Sequence, residues 1–118
     1  MHELSVAISV VESVVCVLEE EGGGRVRAVG LAVGAHAGVV TEALAYAWGP
    51  ATAGTPLAGS RLEVEPVAAS VWCGPCDAER ELPGQRLRCP VCDAPAAGLL
   101  TGRELDLLSF ELEEPPAG

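Results

Sequence analysis

The segment Cys73–Cys92 reads C-x2-C, twelve intervening residues, then C-x2-C, and this spacing constrains the chain more than any other feature. A CxxC turn aims two thiolates at one ion, and Gly74, Pro75 and Pro90 are residue types that shape such a tight knuckle. Cys73, Cys76, Cys89 and Cys92 together complete a tetrahedral shell with no open position, the pattern of structurally held Zn²⁺. A redox dithiol accounts for one CxxC motif but not for two at this spacing. A closed four-thiolate shell also gives a substrate nowhere to bind, so the site is structural rather than catalytic. The segment is short and polar, so we expect the metal, and not a core of its own, to supply its folding free energy. Thiols used in this way belong to a reducing compartment, which predicts a cytoplasmic protein.

The remaining residues form elements that this segment interrupts. Leu4, Ala7, Ile8, Val11, Val14, Val15 and Leu18 recur at helical spacing and predict an amphipathic helix, which Gly22, Gly23 and Gly24 end. Cys16 lies on its flank as a small, partly buried residue. Arg25–Gly34 alternates as a strand that turns apolar on both faces, the mark of a central strand. A second helix is expected from Thr41 as N-cap, with Val40, Leu44, Ala47 and Trp48 inward, kinked or ended by Gly49-Pro50. Strands are expected over Arg61–Trp72, with Leu62 and Val64 inward, and over Leu105–Glu114, with Leu108, Phe110 and Leu112 inward. The predicted class is α+β: two helices packed on a three-stranded mixed sheet, with an inserted zinc-ribbon-like lobe. The boundaries expected are 1–70 with 103–114 for the α/β domain, 71–102 for the zinc domain, and 115–118 as a disordered tail.

Composition narrows the function classes. Across 118 residues the net charge is −10, with 7 Arg and no Lys, so phosphate backbones are repelled and nucleic acid is a poor partner. The apolar run behind Met1 has no basic residue before Arg25 and is broken by Glu12, so it predicts neither a leader nor a membrane span. No nucleophile–base pair, phosphate loop or carboxylate constellation points to an enzyme.

The chain begins Met1-His2-Glu3-Leu4. A free N-terminus followed by His offers three nitrogens in fused chelate rings: the Met1 α-amine, the His2 backbone amide and His2 Nδ1. A deprotonated amide nitrogen selects Ni²⁺ or Cu²⁺ over Zn²⁺. Taken alone, the pair reads more simply as an exposed His with no function.

The chain resembles the HypA/HybF family of nickel metallochaperones in [NiFe]-hydrogenase maturation. The resemblance rests on Met1–Leu4, "VGAHAGV", "EAL", "GTPLAGSRLEVE", the paired CxxC motifs and "GRELDLLSFELEE", in order along nearly the whole chain. It implies a nickel lobe built from both ends of the chain and a small zinc lobe, with nickel held at Met1 and His2 and with Glu3 beside them. It also implies two partners, a nickel-delivering GTPase and the hydrogenase large-subunit precursor, with urease maturation factors served in some lineages. His36 stands where the family has an apolar residue, and Val40 where some members place a carboxylate, with Glu42 two residues on. The fourth nickel position is therefore open to Glu3, His36, Glu42 or water. Two other classes compete: a zinc-ribbon interaction or regulatory module without a nickel role, and a thiol oxidoreductase using Cys73 and Cys76. Nickel binding separates the first reading from both.

Overall fold

The computed structural model describes residues 2–114; Met1 and the tail expected at 115–118 lie outside the described residues. The chain divides into two compact units. One comprises the segments up to Leu31, Val39–Val64 and from Leu107 onward; the other comprises Ala32–Gly38 and Glu65–Asp106.

In the first unit α1 spans Glu3–Glu20 and α2 spans Thr41–Thr52. Val6, Ala7, Val11, Val14 and Leu18 form the buried face of α1, so the 3.6-residue period prevails over the weak helix preference of its valines. At its C-terminus Gly22 takes φ +100°, a left-handed value that glycine adopts without steric cost. The Gly23 N–H then reaches back 2.8 Å to the Leu18 carbonyl, closing a Schellman motif. Glu19, Glu20 and Glu21 sit at the negative end of the helix with no basic residue in the last turn.

Helix α2 differs from expectation at both ends. Val40, not Thr41, is the N-cap; it makes no side-chain cap bond and is exposed rather than inward. Pro50 lies inside the helix, which continues to Thr52. So late in the helix, the missing proline N–H removes one backbone bond, and the Thr52 hydroxyl donates to the Gly49 carbonyl at 3.2 Å. Leu44 and Trp48 are buried, and Trp48 Nε1 donates to Ser60 Oγ at 3.0 Å, pinning the loop that follows. Cys16 is exposed, not partly buried.

Strand β1 (Val26–Gly34) is central in a three-stranded sheet, between β2 (Arg61–Val67) and β6 (Leu105–Leu112). Bonds from Glu113 N to Arg25 O and from Gly34 N to Glu104 O set β6 antiparallel to β1. Bonds from Val26 N to Pro56 O and from Ala35 N to Val67 O bracket β2 in the parallel sense, so the sheet is mixed as expected. Val26, Ala28, Val29 and Leu31 are all buried, which fits a strand covered on both faces. The edge strands are less covered: Leu62 and Val64 are half-buried, and Leu108 and Leu112 are exposed. Arg27 meets Glu111 at 2.8 Å between β1 and β6, an exposed pair that solvent screens and that adds little to stability.

In the second unit β3 (Ser70–Cys73) is flanked antiparallel by β4 (Ala78–Glu81) and β5 (Leu99–Thr101). The strand expected over Arg61–Trp72 is therefore two strands, β2 and β3, parted at Ala68–Ala69. The Ala69 carbonyl accepts from Leu82 N at 2.8 Å, so it already belongs to the second sheet. The expectation that this segment lacks a core is also corrected. Ala69, Val71 and Leu82 are buried together, with Ala96 and Leu99 packed against them. Backbone approach is close here: a Cβ on Gly102, which holds φ +119°, would lie 2.7 Å from the Ala69 Cα, so glycine is required.

Candidate metal centre

Each CxxC motif is a knuckle closed by its own backbone. In the first, Asp77 N donates to the Gly74 carbonyl at 3.0 Å; in the second, Asp93 N donates to the Cys89 carbonyl at 2.8 Å. Asp77 and Asp93 occupy equivalent positions, one residue past the second cysteine, and both take left-handed φ values, 52° and 63°. Asp tolerates that region better than most residues, so each knuckle reverses the chain without glycine there. Arg88 Nε holds the second knuckle from outside, donating to the Asp93 carbonyl at 3.1 Å and to its carboxylate at 3.2 Å.

The two knuckles bring four sulfurs together. The Sγ atoms of Cys73, Cys76, Cys89 and Cys92 all lie within 4.8 Å of one another, with Cys73–Cys92 at 3.4 Å and Cys76–Cys89 at 3.9 Å. A tetrahedron with metal–sulfur bonds of about 2.3 Å has edges of about 3.8 Å. The donor set and its size therefore fit a four-coordinate thiophilic ion. Cys73 and Cys89 are buried, Cys76 is partly exposed and Cys92 is exposed.

Electrostatics within the cluster point the same way. Backbone N–H groups of Cys92 and Val91 converge on Cys89 Sγ, and the Cys73 thiol donates to it; against the opposing effect of burial they bring Cys89 down to about 6. Cys73 is pulled down by the Cys76 N–H, but burial and hydrogen bonding to the other three sulfurs outweigh it and push Cys73 up to about 12. Without a cation the cluster holds a thiolate at Cys89 and resists further ionisation. Arg80 on β4 has its pKa raised, chiefly by Cys76. Sequence spacing alone does not reveal Arg80, since only the β3–β4 register brings it beside the cysteines.

The other predicted site residues lie apart from the cysteine cluster in sequence and role. His2 is the exposed N-cap of α1: its carbonyl accepts from Val6 N at 3.1 Å, and its Nδ1 accepts from Leu4 N at 3.3 Å. Glu3 opens the first turn of the same helix, and Glu42 the first turn of α2, both in the favourable place for a carboxylate. Met1 lies outside the described residues. His36 is engaged within the second unit, where its Nε2 meets the Gly84 carbonyl at 3.0 Å and its backbone N–H donates to the Gly102 carbonyl at 2.7 Å.

Residues 1–112 match the model of the family described as "Hydrogenase/urease nickel incorporation, metallochaperone, hypA". The chain belongs to the HypA family. The hydrogenase maturation factor HypA of Chloroflexus aurantiacus is 46% identical over 112 residues, covering 94% of this chain and 98% of that protein. Its counterpart in Roseiflexus is 43% identical over 115 residues, covering 97% and 94%. Among solved structures, the solution structure of the Ni metallochaperone HypA from Helicobacter pylori aligns with a TM-score of 0.58 at 19% identity, covering 95% of this chain and 97% of that one. That likeness supports the HypA fold. As a HypA-family member the chain is a metallochaperone of nickel incorporation, and its four-cysteine cluster fits a zinc site.

Proposed function

We propose that this HypA-family protein binds Ni²⁺ at its N-terminus and hands it over during [NiFe]-hydrogenase maturation, with Zn²⁺ held structurally by Cys73, Cys76, Cys89 and Cys92. The nickel ligands are the Met1 α-amine, the His2 amide nitrogen and His2 Nδ1, with Glu3 beside them. The single observation carrying this reading is His2 itself. Its ring is exposed at the start of α1 and its Nδ1 accepts a hydrogen bond, so the nitrogen the chelate needs carries a lone pair. Three nitrogens in fused five- and six-membered rings impose a planar field, which suits Ni²⁺. Loading exchanges the Leu4 N–H for the ion at Nδ1, a small cost at an exposed cap.

Zinc supplies a rigid closed node and no chemistry of its own. The functional lobes are residues 1–70 with 103–114 for nickel and 71–102 for zinc. The function is capture and delivery, with no bond made or broken in a substrate. Its partners are a nickel-delivering GTPase and the hydrogenase large-subunit precursor, together with urease maturation factors where a urease is served, all in the cytoplasm. No described helix is long and apolar enough to cross a membrane.

The test is an equilibrium Ni²⁺ titration of untagged protein, read by visible absorption. His2→Ala loses tight binding by about 100-fold or more, roughly 2.7 kcal/mol, with zinc content and fold unchanged. One residue added before Met1 does nearly the same with His2 present, because it moves the amine out of the chelate ring. Tight, unaltered binding by the extended protein disproves the terminal-amine site.

A further inference from the structure

We propose that Arg80 is a positioning residue for the zinc site: from the β4 arm of the first knuckle its guanidinium offsets the charge of the four-thiolate centre, keeping the knuckle's sulfurs directed at the ion. The proposal rests on the zinc reading above. Four thiolates around a divalent ion leave two negative charges in a site where Cys73 and Cys89 are buried. Such a charge is costly unless a cation or donor answers it. Backbone N–H groups answer part of it at Cys89, and with no Lys in the chain a permanent side-chain cation has to come from Arg.

Geometry selects one. In the β3–β4 register Val71 faces Arg80 and Cys73 faces Ala78. Residues directly opposite share a face, and so do residues two apart along a strand, so Arg80 and Cys73 project from the same side. Arg88 is already committed to Asp93. Arg80 makes no carboxylate ion pair among the described residues, and its Nε is buried with no hydrogen-bond partner. A buried guanidinium N–H without an acceptor is rare in folded proteins and calls for an explanation. A guanidinium on this face answers the excess negative charge, and the thiolate centre is the negative group left to it. Cys76 is the sulfur of the first knuckle that is partly open to solvent, so its reactivity reports any loosening there.

The experiment compares wild type, Arg80→Met, Arg80→Lys and, as a surface control, Arg86→Met. Zinc affinity is read by competition with a chromophoric chelator, and site-resolved alkylation of the zinc-loaded proteins is read by mass spectrometry. Arg80→Met weakens zinc about 10- to 100-fold, the usual effect of losing an outer-shell partner, and speeds alkylation of Cys76 selectively. Arg80→Lys recovers part of both, and Arg86→Met matches wild type. Wild-type affinity and wild-type Cys76 reactivity in Arg80→Met overturn the proposal. So does a loss in which all four cysteines become equally reactive and Lys recovers nothing, which marks a packing role only. If Arg80→Met fails to fold, Arg80→Lys against Arg80→Gln carries the same comparison: equal zinc affinity in the two refutes a charge effect. Wild-type protein that holds no zinc refutes the zinc site itself, a result distinct from any of these.

Discussion

At the scale of single residues, the clustered thiols show how far types and spacings carry. The four cysteines are identifiable from spacing alone because a knuckle is a local structure: two residues between ligands leave few ways to turn. Their unequal chemistry is not visible there, since it depends on which backbone N–H groups converge on which sulfur. Cys89, held at about 6, is a thiolate at neutral pH before any metal arrives, whereas Cys73, at about 12, is a thiol. Loading zinc at pH 7 therefore releases fewer than four protons. Below pH 6 Cys89 is protonated in the metal-free protein, so its proton is added to those released and zinc affinity falls more steeply with each pH unit. Calorimetry in buffers of different ionisation enthalpy, at about pH 7.5 and about pH 5.5, on either side of that thiol's midpoint, measures both counts. Equal proton release at the two pH values contradicts the assignment. His36 illustrates the complementary lesson. As a lone imidazole it is open to a nickel role, and only the fold reveals its bond to Gly84.

Among the elements, the helices are legible in the sequence wherever burial decides and less so where capping does. The spacing of Leu4 to Leu18 forecasts α1 because one face must be buried, and that demand exceeds the small propensity cost of valine. The ends of α2 depend on local competition: Thr41 is the better cap by residue type, yet the chain turns at Val40, and Pro50 is absorbed where only the last turn can notice it. The division of one expected strand into β2 and β3 is hidden because both halves share the same alternating pattern. The small core of Ala69, Val71 and Leu82 changes what zinc removal does. Cys89→Ala leaves three thiolates and loses tight zinc binding, so amides of β3, β4 and β5 lose hydrogen-exchange protection while those of α1 and α2 keep it. The second unit then becomes a loosely collapsed segment and not an extended chain. One tightly held zinc in Cys89→Ala, with unchanged melting, contradicts the four-cysteine site.

Over the whole molecule, like-charge repulsion is the main electrostatic force. Ten excess negative charges on 118 residues repel one another, and the exposed ion pairs Arg25–Glu113, Arg27–Glu111 and Arg61–Glu63 offset little of it. The acidic end of α1 adds an unfavourable alignment with the helix dipole. Zinc-loaded protein is therefore expected to melt at a higher temperature in about 0.15 M than in about 0.01 M salt, as the screening length falls from about 30 to about 8 Å. A flat response across that range means the carboxylates are spaced widely enough not to matter. This global property is readable from composition alone, whereas the chain's division into two compact units is not. That division places Ala32–Gly38 with the cysteine knuckles, a long-range association that no local pattern encodes.

The two tryptophans fall one to each unit: Trp48 is buried in α2, and Trp72 is 52% exposed on β3, next in sequence to Cys73. The molecule thus carries a pair of intrinsic fluorophores of different colour. Trp48, in an apolar setting, emits toward the blue and reports the helical unit, while Trp72, open to solvent, emits toward the red and reports the second unit. Excited together, they turn one emission spectrum into a two-channel record of which unit loosens first as the protein unfolds.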